Sequence, residues 1–222
     1  MLHGDKGYHV TKGVNSATQM DISVIVATYN RAGILKGTLE SLAALRPQGV
    51  THEIIVVDNN SSDNTREVVE EFAQRAPIRY LFEERQGKNH ALNAAVEVAQ
   101  GELLVFTDDD VFVPADWLDR YWAAAQAHTE ADVFGGSVVA RLPANAPQWA
   151  HHPWLPFGAL DLGSERRPLA PGKYFAGANM GVRAANPAAP IKSAAGPGGL
   201  ALDGGEPGSA GHDARWPAVA ED

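Results

Sequence analysis

The sequence has no cysteine among its 222 residues, so disulfide bonds and thiolate metal ligands are both excluded. It has no apolar run near the roughly 20 residues of a membrane span, and residues 1–19 lack the apolar core of a signal peptide. We therefore expect a cytoplasmic protein, with peripheral membrane contact left open. Basic residues are scarce, since 18 Lys and Arg stand against 27 Asp and Glu. This balance argues against general nucleic-acid binding but permits one local nucleotide site.

What the sequence does contain is an alternation of apolar runs and helical patterns. After a polar lead-in over residues 1–20, buried strands are predicted at 22–27, 53–58, 78–82 and 103–107. Helices are predicted between and after them at about 34–45, 63–75, 89–99 and 114–127, with Gly101 ending the third. Such alternation is typical of an α/β domain in which helices cover both faces of a mostly parallel, Rossmann-like sheet.

Three consecutive carboxylates, Asp108, Asp109 and Asp110, follow the fourth predicted strand and are called the acidic cluster below. Because side chains alternate along an extended chain, Asp108 and Asp110 are expected to point one way and Asp109 the other. Close carboxylates repel each other unless a cation lies between them, and oxygen ligands suit Mg²⁺ or Mn²⁺. The alternative interpretation is a solvated acidic turn.

Two further polar segments, residues 28–30 and 58–61, follow the first and second predicted strands. Ligands of open α/β sheets bind outside the carboxyl ends of the strands. The three polar segments are therefore expected to meet at one edge of the sheet and to form a site there.

The pattern changes after residue 130. A strand is predicted over 133–142, interrupted by Gly135 and Gly136 in the manner of a bulge. Another strand is predicted over 174–182. The tail over 184–222 is roughly 60 per cent Ala, Gly and Pro, a composition that usually does not fold, so no secondary structure is predicted there.

Residues 143–172 are rich in proline and aromatic residues, and we interpret them as a long loop or lid over the site. Trp149 and Trp154 in this segment have the chemistry to stack on a sugar ring, but packing of the loop onto the domain explains them equally well. His151 and His152 lack a third metal ligand nearby, so we do not favour a metal site there.

Several motifs resemble the family 2 glycosyltransferases of the GT-A fold. They occur in that family's order over about residues 21–183, at 22–31, 58–65, 87–93, 106–110 and 175–180. The resemblance implies transfer of a sugar from a nucleotide-diphosphate donor, most simply a UDP-sugar, to a sugar or lipid-linked acceptor, as in polysaccharide or glycoconjugate biosynthesis. It also implies a divalent cation, Mn²⁺ or Mg²⁺, and inversion at the anomeric carbon.

The same resemblance implies roles for individual residues around the nucleotide. Thr28 and Asn30 would lie against it, and Asp58 would accept a hydrogen bond from the base, most simply the ring NH of uracil. A carboxylate is a suitable partner for such an NH group. Asp58 also has a purely structural alternative, because Asp commonly begins turns.

On the diphosphate side, the resemblance implies that Lys88 and Asn93 line the donor site. Asp108, with Asp109 beside it, would face the ribose and diphosphate, and Asp110 would hold the cation. A metal there neutralises charge on the departing nucleotide diphosphate. Lys88 as a solvated helix-start lysine and Asn93 as a surface amide are the alternatives.

The resemblance fails after Val182, where the family carries the acidic general base that deprotonates the acceptor. Asp203, Glu206 and Asp213 are weak substitutes, so the catalytic base is unassigned. We interpret the tail as a frame-shifted or truncated end. A genomic frame shifted near Ala184 that gives no family-like continuation would contradict this.

Two alternative functions stay open beside the transferase. The first is a catalytically impaired fragment that binds a nucleotide sugar without the base. The second is a nucleotidyltransferase, which usually needs a glycine-rich phosphate loop after its first strand. The segment 27–31 has no glycine, which argues against the second alternative.

Overall fold

The computed structural model describes residues 20–142, 145–151, 159–163, 175–184 and 218–219. The strands within these residues are β1 (Met20–Thr28), β2 (His52–Asp58), β3 (Ile78–Phe82), β4 (Gly101–Thr107), β5 (Val133–Gly136), β6 (Met180–Arg183) and β7 (Ala218–Val219). The helices are α1 (Ala32–Ala43), α2 (Thr65–Ala73), α3 (Lys88–Val98) and α4 (Trp117–Ala127). The alternation predicted over the first four strands is confirmed, with boundaries shifted by a few residues.

The strands form one sheet in the order β3-β2-β1-β4-β6-β5-β7. The first four strands are mutually parallel, and β6 runs antiparallel to both β4 and β5. The prediction of a mostly parallel α/β sheet is therefore confirmed. The first strand in sequence lies at the centre of the parallel part, so the polar segments after β1, β2 and β4 are neighbours.

Helices cover both faces of this sheet. On one face α1, α2 and α4 bury Leu39, Phe72 and Leu118 against the sheet. On the other face α3 buries Ala91 and Leu92. Burying an aliphatic or aromatic side chain of this size contributes about 1.5–3 kcal/mol. This two-sided core holds the carboxyl ends of β1, β2 and β4 in fixed relative positions.

Gly101 has a different role from the one predicted for it. Helix α3 already ends at Val98, and Gly101 begins β4, where a Cβ atom would lie 2.3 Å from the backbone nitrogen of Ser23. Its backbone N–H donates to Ser23 Oγ at 2.8 Å. The residue therefore permits close approach of β4 to β1 and does not cap a helix.

The region after α4 departs from the predicted strands. Strand β5 ends at Gly136 and does not continue to 142, although Val138 bridges to Leu160. Residues Gly177–Asn179 form a 3₁₀ turn before β6, so the strand predicted over 174–182 is shorter. The pattern of apolar residues alone revealed neither the end of β5 at Gly136 nor the 3₁₀ turn before β6.

The predicted loop and tail are described only in part. Residues Gln148–His151 form a 3₁₀ turn within the predicted loop, and β7 in the tail pairs in parallel with β5. That short strand was not predicted. Among the described residues, no helix has the length and apolar content needed to span a membrane.

Candidate functional site

A cleft of about 400 Å³ opens at the carboxyl edge of the parallel strands. Thr28 at the end of β1 lies opposite Asp58 at the end of β2, and Val26 lies opposite Thr107 at the end of β4. The predicted meeting of the three polar segments at one edge is therefore confirmed. The residues lining the cleft are Ala27, Thr28, Tyr29, Arg31, Asn59, Gln86, Gly87, Lys88, Asp108, Asp109 and Asp110.

Each carboxylate of the acidic cluster has a cationic partner. Arg31 donates through Nη1 to Asp109 at 2.6 Å and through Nη2 to Asp110 at 2.9 Å. Lys88 Nζ contacts Asp108 Oδ1. Asp109 is buried and also accepts a hydrogen bond of 2.8 Å from Thr28 Oγ1. The cluster is thus built into the cleft wall and is not a merely solvated turn.

The expected alternation of the three carboxylates is wrong. Strand β4 ends at Thr107, so the cluster lies in the turn that follows. The neighbours Asp109 and Asp110 consequently share one guanidinium group, whereas Asp108 pairs with Lys88. The alternation rule applies only while the backbone stays extended.

The electrostatic balance of the cleft leaves excess negative charge, because three carboxylates face the two cations Arg31 and Lys88. Burial raises the pKa of Asp109 above its ordinary value, while the hydrogen bond from Thr28 and the charge of Arg31 act in the opposite direction. An additional cation at this edge would relieve the repulsion among the carboxylates.

Asp58 is more deeply embedded than its predicted role implies. Its side chain accepts the Ser61 N–H through Oδ1 and the Tyr80 hydroxyl through Oδ2, both at 2.8 Å. The residue is 3% exposed and does not line the cleft. Asp58 therefore organises the turn after β2, and its contact with a nucleotide base stays a prediction.

Asn30 also belongs to the scaffold of the cleft. Its backbone has a positive φ of 51°, its N–H donates to Ser61 Oγ at 2.9 Å, and its Oδ1 accepts the Ser62 N–H at 2.7 Å. These bonds join the turn after β1 to the turn after β2. The described cleft lining does not include Asn30.

The two candidate residues on α3, Lys88 and Asn93, differ in their position relative to the cleft. Lys88, the first residue of the helix, lines the cleft, whereas Asn93 is exposed and lies outside the lining. Five residues along a helix with 3.6 residues per turn rotate a side chain by about 140° from the starting direction. The structure thus places Asn93 on the surface.

Two cleft residues, Arg31 and Gln86, were given no role from the sequence, and Asn59 was expected at this edge only as part of segment 58–61. Arg31 is the sole arginine in the described lining, Gln86 donates to the Asn59 carbonyl at 3.0 Å, and Asn59 accepts the Gly87 N–H at 2.7 Å. Asn59 Nδ2 also donates to the Arg85 carbonyl at 2.6 Å. The basic residue after β1, opposite an acidic cluster after β4, was the signal available for Arg31.

The donor set of the cleft suits a hard divalent cation. All three cluster side chains offer carboxylate oxygens, and Mg²⁺ is commonly held by one or two carboxylates together with substrate phosphates. Asp110, with a side chain that is 49% exposed, is the most accessible of the three. Within the described part of the chain, no group of three or more His, Asp or Glu side chains forms a ready-made metal cage.

A second group of hydrogen-bonded polar side chains, centred on Asn179, lies next to β6. Asn179 is buried, and its Oδ1 accepts the Trp117 Nε1–H at 3.0 Å and the Tyr121 hydroxyl at 2.8 Å. Its Nδ2 donates to the Ser137 carbonyl at 2.9 Å. The motif that contains Asn179 therefore ties β6 to α4 and to the segment after β5.

Among the remaining candidates, Trp149 is the one whose side chain belongs to the described part of the structure. Trp149 is exposed in its 3₁₀ turn. The side chain of His151 and the residues His152 and Trp154 lie outside the described residues. The base candidates Asp203, Glu206 and Asp213 also lie outside the described residues.

Comparison with known proteins gives one family match. Residues 23–185 match the family Glycosyl transferase family 2. The match begins within β1, continues through β6 and includes the whole described cleft. It ends close to the point where the sequence was expected to depart from the family's pattern.

The curated relatives carry the same class of name. Validoxylamine A glucosyltransferase of Streptomyces hygroscopicus subsp. jinggangensis is 33% identical over 126 residues, which are 56% of this chain and 30% of the relative. The succinoglycan biosynthesis protein ExoM of Rhizobium meliloti is 32% identical over 133 residues, 59% of this chain and 42% of the relative. The chain thus spans less than half of the length of these relatives.

Among solved structures, TarS 1-349 of S. aureus superposes with a TM-score of 0.57 and 24% identity, covering 74% of this chain and 47% of TarS. This likeness shows the fold alone. The TarS complex with UDP-GlcNAc matches with a TM-score of 0.50 and 29% identity over 58% of this chain and 37% of that chain.

Proposed function

The chain belongs to glycosyl transferase family 2, and from this membership we propose that it is the donor-binding part of an enzyme that transfers a sugar from a nucleotide diphosphate to an acceptor. The observation that carries the proposal is the cleft itself. It gathers cations and carboxylates from the ends of β1 and β4 and the start of α3, all within the span that matches the family.

The lining of the cleft suits a nucleotide diphosphate. Arg31 and Lys88 supply positive charge for the phosphates, and an arginine fork matches phosphate oxygens in a bidentate manner. Tyr29 is half-exposed beside them and offers a ring face for a base or sugar. A UDP-sugar is the donor we favour, supported by the likeness to TarS, which binds UDP-GlcNAc.

We assign the divalent cation, Mn²⁺ or Mg²⁺, to Asp110, with Asp108 beside the donor. When bound, such a cation neutralises charge on the departing nucleotide diphosphate. Asp109 is committed to Thr28 and Arg31 and fixes the turn that presents Asp110. Thr28 therefore acts by holding Asp109 in place.

Direct displacement with inversion at the anomeric carbon completes the proposed reaction, with a sugar or lipid-linked acceptor. The second candidate function is nucleotide-sugar binding without turnover. It is favoured by the family match ending at residue 185, before any candidate base. Transfer or donor hydrolysis by the purified chain separates the two, since binding without either reaction supports the second.

The variant Asp110→Ala tests the site. A ligand at a hundredfold excess over its Kd stabilises the folded state by about 2.7 kcal/mol, which raises the Tm of a chain of this size by roughly 5–10 °C. We expect UDP with Mn²⁺ to raise the Tm of the wild type by about this amount. The shift should be lost in Asp110→Ala, because the substitution removes the half-exposed carboxylate to which we assign the cation.

The matched control is Glu70→Ala, which removes an exposed carboxylate of α2 that pairs with Arg66. This variant should keep the full ligand-induced shift. An equal shift in Asp110→Ala and the wild type would contradict the assignment of the cation to Asp110.

A further inference from the structure

We propose that Arg31 occupies the cation site of the acidic cluster in the free protein and moves onto the donor diphosphate when metal and nucleotide bind together. The contact of Arg31 with both Asp109 and Asp110 is called the Arg31 bridge. The inference rests on the proposed function. It adds a positioning role for a residue that neither the motifs nor the comparisons assign.

The geometry of the bridge is that of a substitute cation. One guanidinium group spans two carboxylates, at 2.6 Å to Asp109 and 2.9 Å to Asp110. Asp110 is also the carboxylate that we assign to the metal. A metal ion held by Asp110 would therefore compete with the Arg31 bridge for that carboxylate.

The two halves of the bridge differ in burial. The Asp109 side chain is 6% exposed, whereas the Asp110 side chain is 49% exposed. Ion pairs between exposed groups contribute little, about 0–1 kcal/mol. The contact with Asp110 is therefore the one that a metal can displace, and Asp109 keeps its hydrogen bond from Thr28.

Arg31 has room to move into the cleft. Its side chain is 41% exposed and already lines the cavity, and the residue precedes the first turn of α1. The α1 N-terminus is held separately, because Asp63 Oδ2 accepts the Ala32 N–H at 3.0 Å. Rotation of the arginine side chain therefore requires no change in the packing of the helix.

Charge explains why metal and diphosphate would bind together. A divalent ion alone adds positive charge beside Arg31 and Lys88, after displacing one contact of the bridge. A diphosphate bound without the metal faces the negative charge of the three carboxylates. When both are bound, the displaced guanidinium gains phosphate oxygens as new acceptors. The Arg31 bridge thus weakens binding of the metal alone and strengthens binding of the pair, which is a positive coupling between two ligands.

The test measures Mn²⁺ binding, by electron paramagnetic resonance of the free ion, with and without UDP. The variants are Arg31→Met, which keeps the aliphatic stem without the charge, and Arg31→Lys, which keeps the charge without the fork. Arg75→Met is the matched control. Arg75 contacts the Phe72 ring and precedes β3, at the opposite edge of the sheet from the cleft.

In Arg31→Met, we expect Mn²⁺ alone to bind about three- to tenfold more tightly than in the wild type, because its competitor is gone. The factor by which UDP tightens Mn²⁺ binding should fall by a similar amount or more. In Arg31→Lys, both the Mn²⁺ affinity and the coupling factor should lie between those of the wild type and Arg31→Met. One ammonium group does not bridge two carboxylates as a guanidinium does. Arg75→Met should match the wild type in both quantities.

Two results would overturn the Arg31 bridge. Arg31→Met could bind Mn²⁺ no more tightly and retain the full coupling with UDP. Arg31→Lys could match the wild type in both quantities, which would leave only a net-charge effect. These results differ from failure of the proposed function, in which the wild type itself binds neither Mn²⁺ nor UDP at millimolar concentration. Circular dichroism of each variant separates loss of binding from loss of fold.

Discussion

Buried amides hold together the turns that surround the cleft. Asn59 is 5% exposed, and its side chain bonds to the Gly87 N–H and the Arg85 carbonyl. Asn179 makes three comparable bonds on the far side of β4. A buried polar group left without its partner costs about 1–3 kcal/mol. Both residues therefore contribute to stability, and Asn59 also contributes to the shape of the cleft.

Asn179→Ala should destabilise the fold by about 3 kcal/mol or more. The substitution leaves the Trp117 indole N–H, the Tyr121 hydroxyl and the Ser137 carbonyl without their partner. Urea unfolding followed by tryptophan fluorescence measures the change. The control Asn93→Ala removes an exposed amide of α3 and should change stability by less than about 0.5 kcal/mol. Equal effects of the two substitutions would contradict this account.

Glu83 gives a pH-dependent prediction. Its buried carboxylate accepts hydrogen bonds from the side chain and backbone of Arg85, and the bond from the Arg85 side chain lowers its pKa below the ordinary 4.5. The unfolded chain therefore takes up this proton first on acidification, so the stabilisation is present above pH 4.5 and is lost as the pH falls through the lower folded-state pKa.

The variant Glu83→Gln lacks this proton-linked contribution. Its unfolding free energy should fall short of the wild-type value at neutral pH, and the gap should narrow on acidification below pH 4.5. Unfolding in urea at several pH values measures the gap. A gap of constant size would contradict the role of the Glu83 carboxylate.

Residue roles were harder to predict than residue positions. Thr28, Lys88 and the acidic cluster lie where the sequence placed them, at the carboxyl edge of the sheet. Asp58 and Asn30 were expected against the nucleotide, and that role stays a prediction. The structure adds bonds from their side chains to the turn after β2, which the sequence did not indicate. The partner of Arg31 lies 78 residues away. Such distant partners leave no periodic signal in the sequence.

At the scale of elements, the parallel strands and their helices follow directly from apolar runs and helical spacing. Strand β2, for example, contains the apolar run 54–57 and ends in Asp58. The strands after α4 were predicted too long, because residues 137–142 form only an isolated bridge at Val138 and residues Gly177–Asn179 form a 3₁₀ turn, without a continuous ladder. Phe175 is an example of side-chain packing in this region. Its ring lies against Gly135, at the position that a Cβ atom on that residue would occupy.

Gly101→Ala tests the close approach of β1 and β4. The new Cβ would lie 2.3 Å from the Ser23 nitrogen, so one of the two central strands must shift. Overpacking of this kind costs about 1–3 kcal/mol, and chemical denaturation measures it. The control Gly33→Ala adds a methyl group to α1 with no atom within 4 Å. It should leave stability unchanged or raise it by up to about 1 kcal/mol. The opposite order of stabilities would refute the packing argument.

For the molecule as a whole, the strand order explains why distant motifs form one site. Placing β1 between β2 and β4 brings segments from three parts of the chain to one edge. The sequence carries a formal net charge of −9, yet the cleft itself presents Arg31 and Lys88 to a ligand. We therefore expect the positions of these two cations among the three carboxylates, and not a net charge, to select the ligand.

The most direct test of the central claim is anomalous diffraction from Mn²⁺ in crystals grown with UDP. We predict one manganese peak beside Asp110, with the diphosphate in the cleft near Arg31 and Lys88. The peak should be absent from crystals of Asp110→Ala grown in the same way. A nucleotide bound away from the carboxyl edge of the sheet, or a manganese peak remote from the acidic cluster, would contradict the account.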